Sequence, residues 1–234
     1  METDIIVYLA VSYLDDYDKI QLMMITKKYY SLRFKFTFNN KVKYSLVEYL
    51  SYYDSFTNLI INNNDLILPK KIKYLTFGEN FNQSIKGCIP NSVTHLTFDW
   101  KFDQSIEGCI PNSVTHLTFG RNFDQPIEGC IPKSVTYLSF GRNFNQPIEV
   151  CIPNSVTAPR LALCTLYRGV THLTFGYIFN QSIKDCIPNS VTAPRLALCT
   201  LYRGVTHLTF YGDNKRELYE NDIPKSIKNI MYKW

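Results

Sequence analysis

Residues Gly78 to Phe98 read Gly-Glu-Asn-Phe-Asn-Gln-Ser-Ile-Lys-Gly-Cys-Ile-Pro-Asn-Ser-Val-Thr-His-Leu-Thr-Phe, and most of the chain is this stretch repeated. The preceding copy closes at Phe77, and the next two close at Phe119 and Phe140, so the period is 21 residues. Later copies close at Phe175 and Phe210, spaced by 35, and a looser last copy runs from Ile223 to Tyr232. A fixed period of this length marks a solenoid, in which each turn stacks on the next.

Each turn is too small to fold alone. In His95-Leu96-Thr97-Phe98 apolar and polar residues alternate, the signature of a short half-buried strand. Gly78, Gly120, Gly141 and Gly176 follow that strand, where the chain is expected to turn. The Ile-Pro step favours extended backbone at the isoleucine and stops any helix. Stacking converts the few apolar positions of each turn into continuous columns. Leu75, Leu96, Leu117, Leu138, Leu173 and Leu208 make one, with Ile230 last. Phe77, Phe98, Phe119, Phe140, Phe175 and Phe210 make a second, ending at Tyr232, and Phe81, Phe102, Phe123, Phe144 and Phe179 a third. Isoleucines 85, 106, 127, 148 and 183 form a fourth. Burying each Leu or Phe contributes roughly 1.5–3 kcal/mol, spread evenly along the array.

The spacing Val135-x-x-Leu138-x-Phe140-x-x-Asn143 resembles a leucine-rich repeat with Phe in place of one Leu. Phe144-Asn145-Gln146-Pro147-Ile148 through Ile152-Pro153-Asn154-Ser155-Val156 resembles more closely the FNIP repeat, named for its Phe-Asn and Ile-Pro pairs. Asp stands for Asn at Asp103 and Asp124, and Ser replaces Pro in three copies. The resemblance covers residues 68 to 232. FNIP proteins are known chiefly from social amoebae and from giant viruses of amoebae. The resemblance implies a leucine-rich-repeat-like array that binds other proteins.

Residues 1–50 do not share the period. Ile5, Ile6, Leu9 and Tyr13 recur at helical spacing, and Ile20, Met23, Met24 and Lys27 predict a second helix, with Asp15, Asp16 or Asp18 as its cap. One reading is a helical cap over the open end of the solenoid. The other rests on order: Ile5-Ile6-x-x-Leu9, Tyr13-Leu14-Asp15-Asp16, Asp18-Lys19-Ile20-x-Leu22 and Lys27-x-Tyr29-Tyr30-Ser31-Leu32 resemble the landmarks of an F-box, without its Leu-Pro opening. That resemblance implies docking onto a Skp1-like adaptor of cullin ubiquitin ligases through Ile5, Leu9, Leu14, Ile20 and Leu22. The stretch 51–67, with Asn62-Asn63-Asn64 as a loop, is expected to lead into the first solenoid turn near Leu59, and the solenoid proper to occupy 68–234.

The 35-residue spacings contain 14-residue inserts, Ala158 to Thr171 and Ala193 to Thr206, and Cys151–Phe175 is identical to Cys186–Phe210. Each insert is expected to loop out at the entrance to its strand, with Thr157 and Pro159 starting a short helix and Gly169 ending it. Stacked inserts would bring Arg160, Tyr167 and Arg168 beside Arg195, Tyr202 and Arg203, either as a basic, aromatic knob or as a tolerated surface excursion.

The candidate site lies on the polar face of the strands. His95, His116, His172 and His207 share one column with Tyr74 and Tyr137, beside Thr97, Thr118, Ser139, Thr174 and Thr209. In leucine-rich repeats this exposed strand face holds ligands. No carboxylate or cysteine shares the column, so no metal is expected, and crowding between neighbouring imidazoles is expected to lower their pKa values. Partner binding is therefore expected to weaken below about pH 6. Cys88, Cys109, Cys130, Cys151 and Cys186 form another column, read as small buried hydrophobes because a straight ladder cannot wrap a zinc ion.

There is no phosphate-binding glycine loop, nucleophile elbow, His-Glu-x-x-His or Cys-x-x-Cys. No cofactor is implied. The net charge of +5 is scattered rather than striped, against nucleic-acid binding, and no apolar run approaches the length of a membrane span. Seven cysteines, an odd number, and no signal-peptide pattern suit a reducing, cytoplasmic setting (the host cytoplasm if the protein is viral). The chain thus reads as an α+β protein, a small helical module followed by a repeat solenoid of short parallel strands. Its expected role is non-catalytic: a substrate adaptor holding a protein target on the repeats, or an interaction solenoid that the helices merely cap.

Overall fold

The computed structural model describes residues 14–25, 27–63, 67–148, 170–183, 205–212, 223, 227 and 229–233. Its described strands are β1 (Val42–Lys43), β2 (Asn58–Ile61), β3 (Tyr74–Phe77), β4 (His95–Phe98), β5 (His116–Thr118), β6 (Tyr137–Ser139), β7 (His172–Phe175), β8 (His207–Tyr211) and β9 (Asn229–Lys233). They form one sheet in sequence order. Every pair is parallel, and between β3, β4, β5 and β6 each residue pairs with the residue one period on, as in Leu75↔Leu96 and Leu117↔Leu138. Parallel neighbours need a long crossover, and between β3 and β6 the rest of each turn supplies it without a helix.

Local chemistry explains the repeat. Cys109 N donates to Ile106 O at 3.0 Å across a turn whose third residue, Gly108, has φ +63°, a conformation that favours glycine. A second turn follows the proline: Val93, Val114 and Val135 N each donate at 3.1 Å to the carbonyls of Pro90, Pro111 and Pro132. Ser113 Oγ and Ser134 Oγ donate to Val93 O and Val114 O of the preceding turn at 2.7 Å. The Asn of Phe-Asn has a similar task. Asn82 Oδ1 accepts Asp103 N, Asp103 Oδ1 accepts Asp124 N, Asp124 Oδ1 accepts Asn145 N and Asn145 Oδ1 accepts Asn180 N, all within 2.8–3.0 Å. Asp serves as well as Asn because only the carbonyl-type oxygen is used on this ladder.

The core contains the four columns read from the sequence, but the last copy departs from them: Ile230 is 40% exposed and Tyr232 only partly buried. In the strand column, Phe98 stacks on Phe77 and Phe119 at 5.0 and 5.4 Å. The next column, Phe81 to Phe179, keeps 6.0–6.1 Å between successive rings. Within each turn the two columns meet at 3.9–4.4 Å, as in Phe119–Phe123 and Phe77–Phe81. Offset stacks of this kind add to the area term. The Val-Thr pair leading into each of β7 and β8 belongs to the array: Val170 and Val205 are buried, and Thr171 N donates to Thr136 O at 2.8 Å. The remainder of both inserts, with Arg160, Tyr167, Arg168, Arg195, Tyr202 and Arg203, lies outside the described residues.

Three expectations change. The glycines after the strands provide proximity rather than a special turn, since a Cβ on Gly141 would overlap the carbonyl of Gly120 and one on Gly176 that of Gly141. Of the cysteine column, Cys88, Cys109 and Cys130 are only partly buried, at a turn, with Cys109 and Cys130 packed against the edge of the core, while Cys151 and Cys186 lie outside the described residues. The three described thiols donate to carbonyls two residues back, at 3.2 Å for Cys109 and Cys130, and burial pushes those two thiols above their ordinary pKa. Finally, the sheet starts upstream of the periodic sequence, because β1 pairs Val42 with Leu59 and the bridge Phe38↔Phe56 precedes it.

The helices cover that first end. Helix α1 (Asp16–Ile25) is capped by Asp15, whose Oδ1 accepts Asp18 N at 2.8 Å. A short α2 (Lys27–Tyr30) and a 3₁₀ turn (Ser31–Phe34) follow. Met23 is buried, and Leu14 and Leu22 pack partly against the core. A buried ion pair fixes the docking: Lys19 Nζ lies 3.2 Å from Asp16 Oδ1 and donates to Thr37 O at 2.8 Å, while Asp16 Oδ2 accepts Asn40 N at 2.6 Å. The first predicted helix, with Ile5, Ile6 and Leu9, lies outside the described residues.

Candidate functional site: the exposed face of the strands

Leu96 and Phe98 turn inward, so His95 and Thr97 are left facing out, and the parallel register brings like residues together. Asn58, Tyr74, His95, His116, Tyr137, His172, His207 and Asn229 become neighbours in one row. Its rings adjoin in series, tilted at 4.4 Å for Tyr74–His95 and stacked at 4.1 Å for His95–His116, 5.6 Å for His116–Tyr137, 6.0 Å for Tyr137–His172 and 4.3 Å for His172–His207.

Hydrogen bonds bear on the tautomer of the histidines in this row. Thr94, Thr115, Thr171 and Thr206 each place Oγ1 2.9 Å from Nδ1 of the following histidine. Each hydroxyl also donates its one proton to a carbonyl of the preceding turn, at 3.2–3.3 Å. The imidazole must then carry its proton on Nδ1, leaving Nε2 as an acceptor. At the end of the row His207 Nε2 lies 2.9 Å from Asn229 Nδ2, which suits that tautomer. The pKa values of His95 and His172 are lowered, first by burial and then by the neighbouring imidazoles, so crowding is the lesser cause. Stacked rings point their Nε2 lone pairs side by side rather than at one point, a poor cage for a metal. Among the described residues no group of three metal-ligating side chains converges.

The second row is less uniform than its sequence. Thr97, Thr118, Ser139 and Thr174 are half-exposed, but Thr209 is only 7% exposed, as is Thr76. Each buried threonine pairs with a long neighbour at an end of the row, Thr76 with Ile60 and Thr209 with Met231. Thr209 therefore drops out of the accessible strip. The adaptor candidates also divide: Leu14 and Leu22 are half-buried against the core, Ile20 is 42% exposed beside exposed Tyr17 and Met24, and Ile5 and Leu9 are outside the described residues.

A third row escaped sequence reasoning. Glu79, Trp100, Arg121, Arg142 and Tyr177 occupy one repeat position just after the strands, and their chemical variety hid the column. Arg121 lies over the Trp100 ring at 4.6 Å and Arg142 over Tyr177 at 5.0 Å.

Comparison with known proteins follows this geometry. No curated protein matches the chain. The chain is similar to CroV588, described as a novel circular LRR protein, at 36% identity and a TM-score of 0.58 over 85% of this chain. It spans about a quarter of that protein, 26% of its length. The FNIP Repeat matches residues 62–101, 81–122, 102–142, 123–158 and 161–193, more than half of the sequence. The register of the strands, the Asn ladder and this match agree: the chain belongs to the FNIP repeat family.

Proposed function

We propose that this protein is a binding scaffold, with the strip from Tyr74 to His207 and its threonine row as the surface that holds a protein target. The observation that carries the reading is the stacked Tyr/His row. It is an ordered aromatic surface left accessible on the strands while the alternating Leu and Phe positions fill the core. Aromatic side chains of fixed rotamer are favoured anchors in interfaces. The finer reading is a substrate adaptor, in which the helical module recruits a Skp1-like protein of a cullin ubiquitin ligase. It is supported by the F-box-like order of landmarks and by the outward Tyr17, Ile20 and Met24 on α1.

The Lys19–Asp16 anchor favours a second reading, in which the module only closes the solenoid. Ile20→Asp separates them, since Ile20 is exposed and its replacement leaves the cap intact, whereas Leu14→Asp would also disturb packing. Adaptor function predicts that a Skp1-like protein co-purifies from amoebal lysate and is lost with Ile20→Asp. Absence of any such protein from the wild-type eluate contradicts it.

A further inference from the structure

The row at the carboxyl ends of the strands holds two adjacent cations. The carbonyls of Trp100, Arg121 and Arg142 accept Asn122 N, Asn143 N and Ile178 N of the following turns, at 2.9–3.0 Å, so the row is held in register turn by turn. Arg121 and Arg142 are then neighbours, with backbones close enough that only glycine fits at position 141. Among the described residues neither guanidinium has a carboxylate within ion-pair distance. Asp99 Oδ1 accepts Trp100 N, and Glu79 is two turns from Arg121. Each guanidinium instead lies over an aromatic ring on its outer side, which orients the planar fork and, among the described residues, leaves its N–H edges unused. Trp100 and Tyr177 are exposed at 43% and 45%, so the row is open to a partner.

We propose that Arg121 and Arg142, framed by Trp100 and Tyr177, form an anion-binding site for clustered oxyanions on a protein segment. Those anions are carboxylates of an acidic stretch or phosphates of a modified one. Two arginine forks in adjacent turns suit bidentate acceptors spaced along an extended chain, and no acid of the described structure neutralises them. A segment lying across the strands would meet this row at one margin and the Tyr/His row at the other. The site extends the scaffold reading, but its test does not require the natural target.

The test measures binding of fluorescein-labelled oligoglutamate, of a phosphoserine peptide and of oligothymidylate to the full chain by anisotropy. Trp100 emission is followed in a Trp234→Phe background. At least one peptide should bind and shift the Trp100 emission. R121Q/R142Q should weaken that binding about tenfold with an unchanged melting curve, and R121K/R142K should fall between. The two peptide arms tell carboxylate from phosphate. Should the double variant misfold, Arg142→Gln alone decides, because Arg142 is exposed. Equal binding by wild type and variant, no binding of either peptide, or binding of oligothymidylate alone overturns the proposal. Lys86→Gln, which removes a cation from an exposed turn away from the row, leaves peptide affinity within about twofold. Because the probes are simple peptides, loss of this site and loss of target capture on the strip are read separately.

Discussion

A glycine and a histidine show how much a single position carries here. Gly141 stands where two turns touch backbone to backbone, so Gly141→Ala forces neighbouring turns apart and should cost roughly 1–3 kcal/mol in urea unfolding. A cost near zero would show that the close approach is not needed. The imidazoles act through pH. His95 is flanked by Tyr74, Thr94 and His116, and His172 by Tyr137, Thr171 and His207; no carboxylate stabilises a charge in either place among the described contacts. Both pKa values lie below 6.5 in the folded protein, so the unfolded chain takes up protons first as pH falls. Stability from these residues is fully present above about pH 6.5 and is lost progressively below it, down to the folded pKa. Melting temperature should therefore fall between pH 7.5 and pH 5.5, and His95→Gln should flatten the slope; an identical slope in that variant would contradict the assignment.

At the scale of elements, the anchoring of α1 rests on a buried pair rather than on apolar area alone. Lys19→Met leaves Asp16 buried with only its amide partner and should cost about 3 kcal/mol. Hydrogen exchange should show α1 loosened before β4 to β6, and loss of protection in all of them together would mean that the module and the array are one cooperative unit. The repeating strands were legible from the sequence because period, alternation and Ile-Pro turns agree at every copy. The buried columns followed from the same agreement, down to Phe81 and Phe179. What the repeat hid was variation at the margins. β1 lies in sequence without the period, yet Val42 pairs with Leu59 in the same register. Thr209 repeats Thr97 in sequence but sits beside Met231, and Arg121 repeats Glu79 in position but not in chemistry. The thiols were misread because a column near the core was taken for a column within it.

For the whole molecule, stability is a sum over turns and their interfaces. Phe123 touches rings on both sides and in both aromatic columns, so Phe123→Ala should cost about 3–5 kcal/mol and concentrate the loss of exchange protection in β5 and β6. Protection lost first in β2 or β8 would contradict that local coupling. Among the described residues the other faces carry turns and the Asn ladder, and in the scaffold reading the strand surface, with the arginine row at its margin, is the face offered to a partner. The most direct test places a photo-crosslinking amino acid at Tyr137, on the strip, or at exposed Glu128, on a turn away from it, in the full chain expressed in its native cells. The scaffold reading predicts that a discrete protein is trapped from Tyr137 and not from Glu128, and that Thr118→Arg abolishes the product. Trapping of the same protein from Glu128 alone, or indifference to Thr118→Arg, would contradict it.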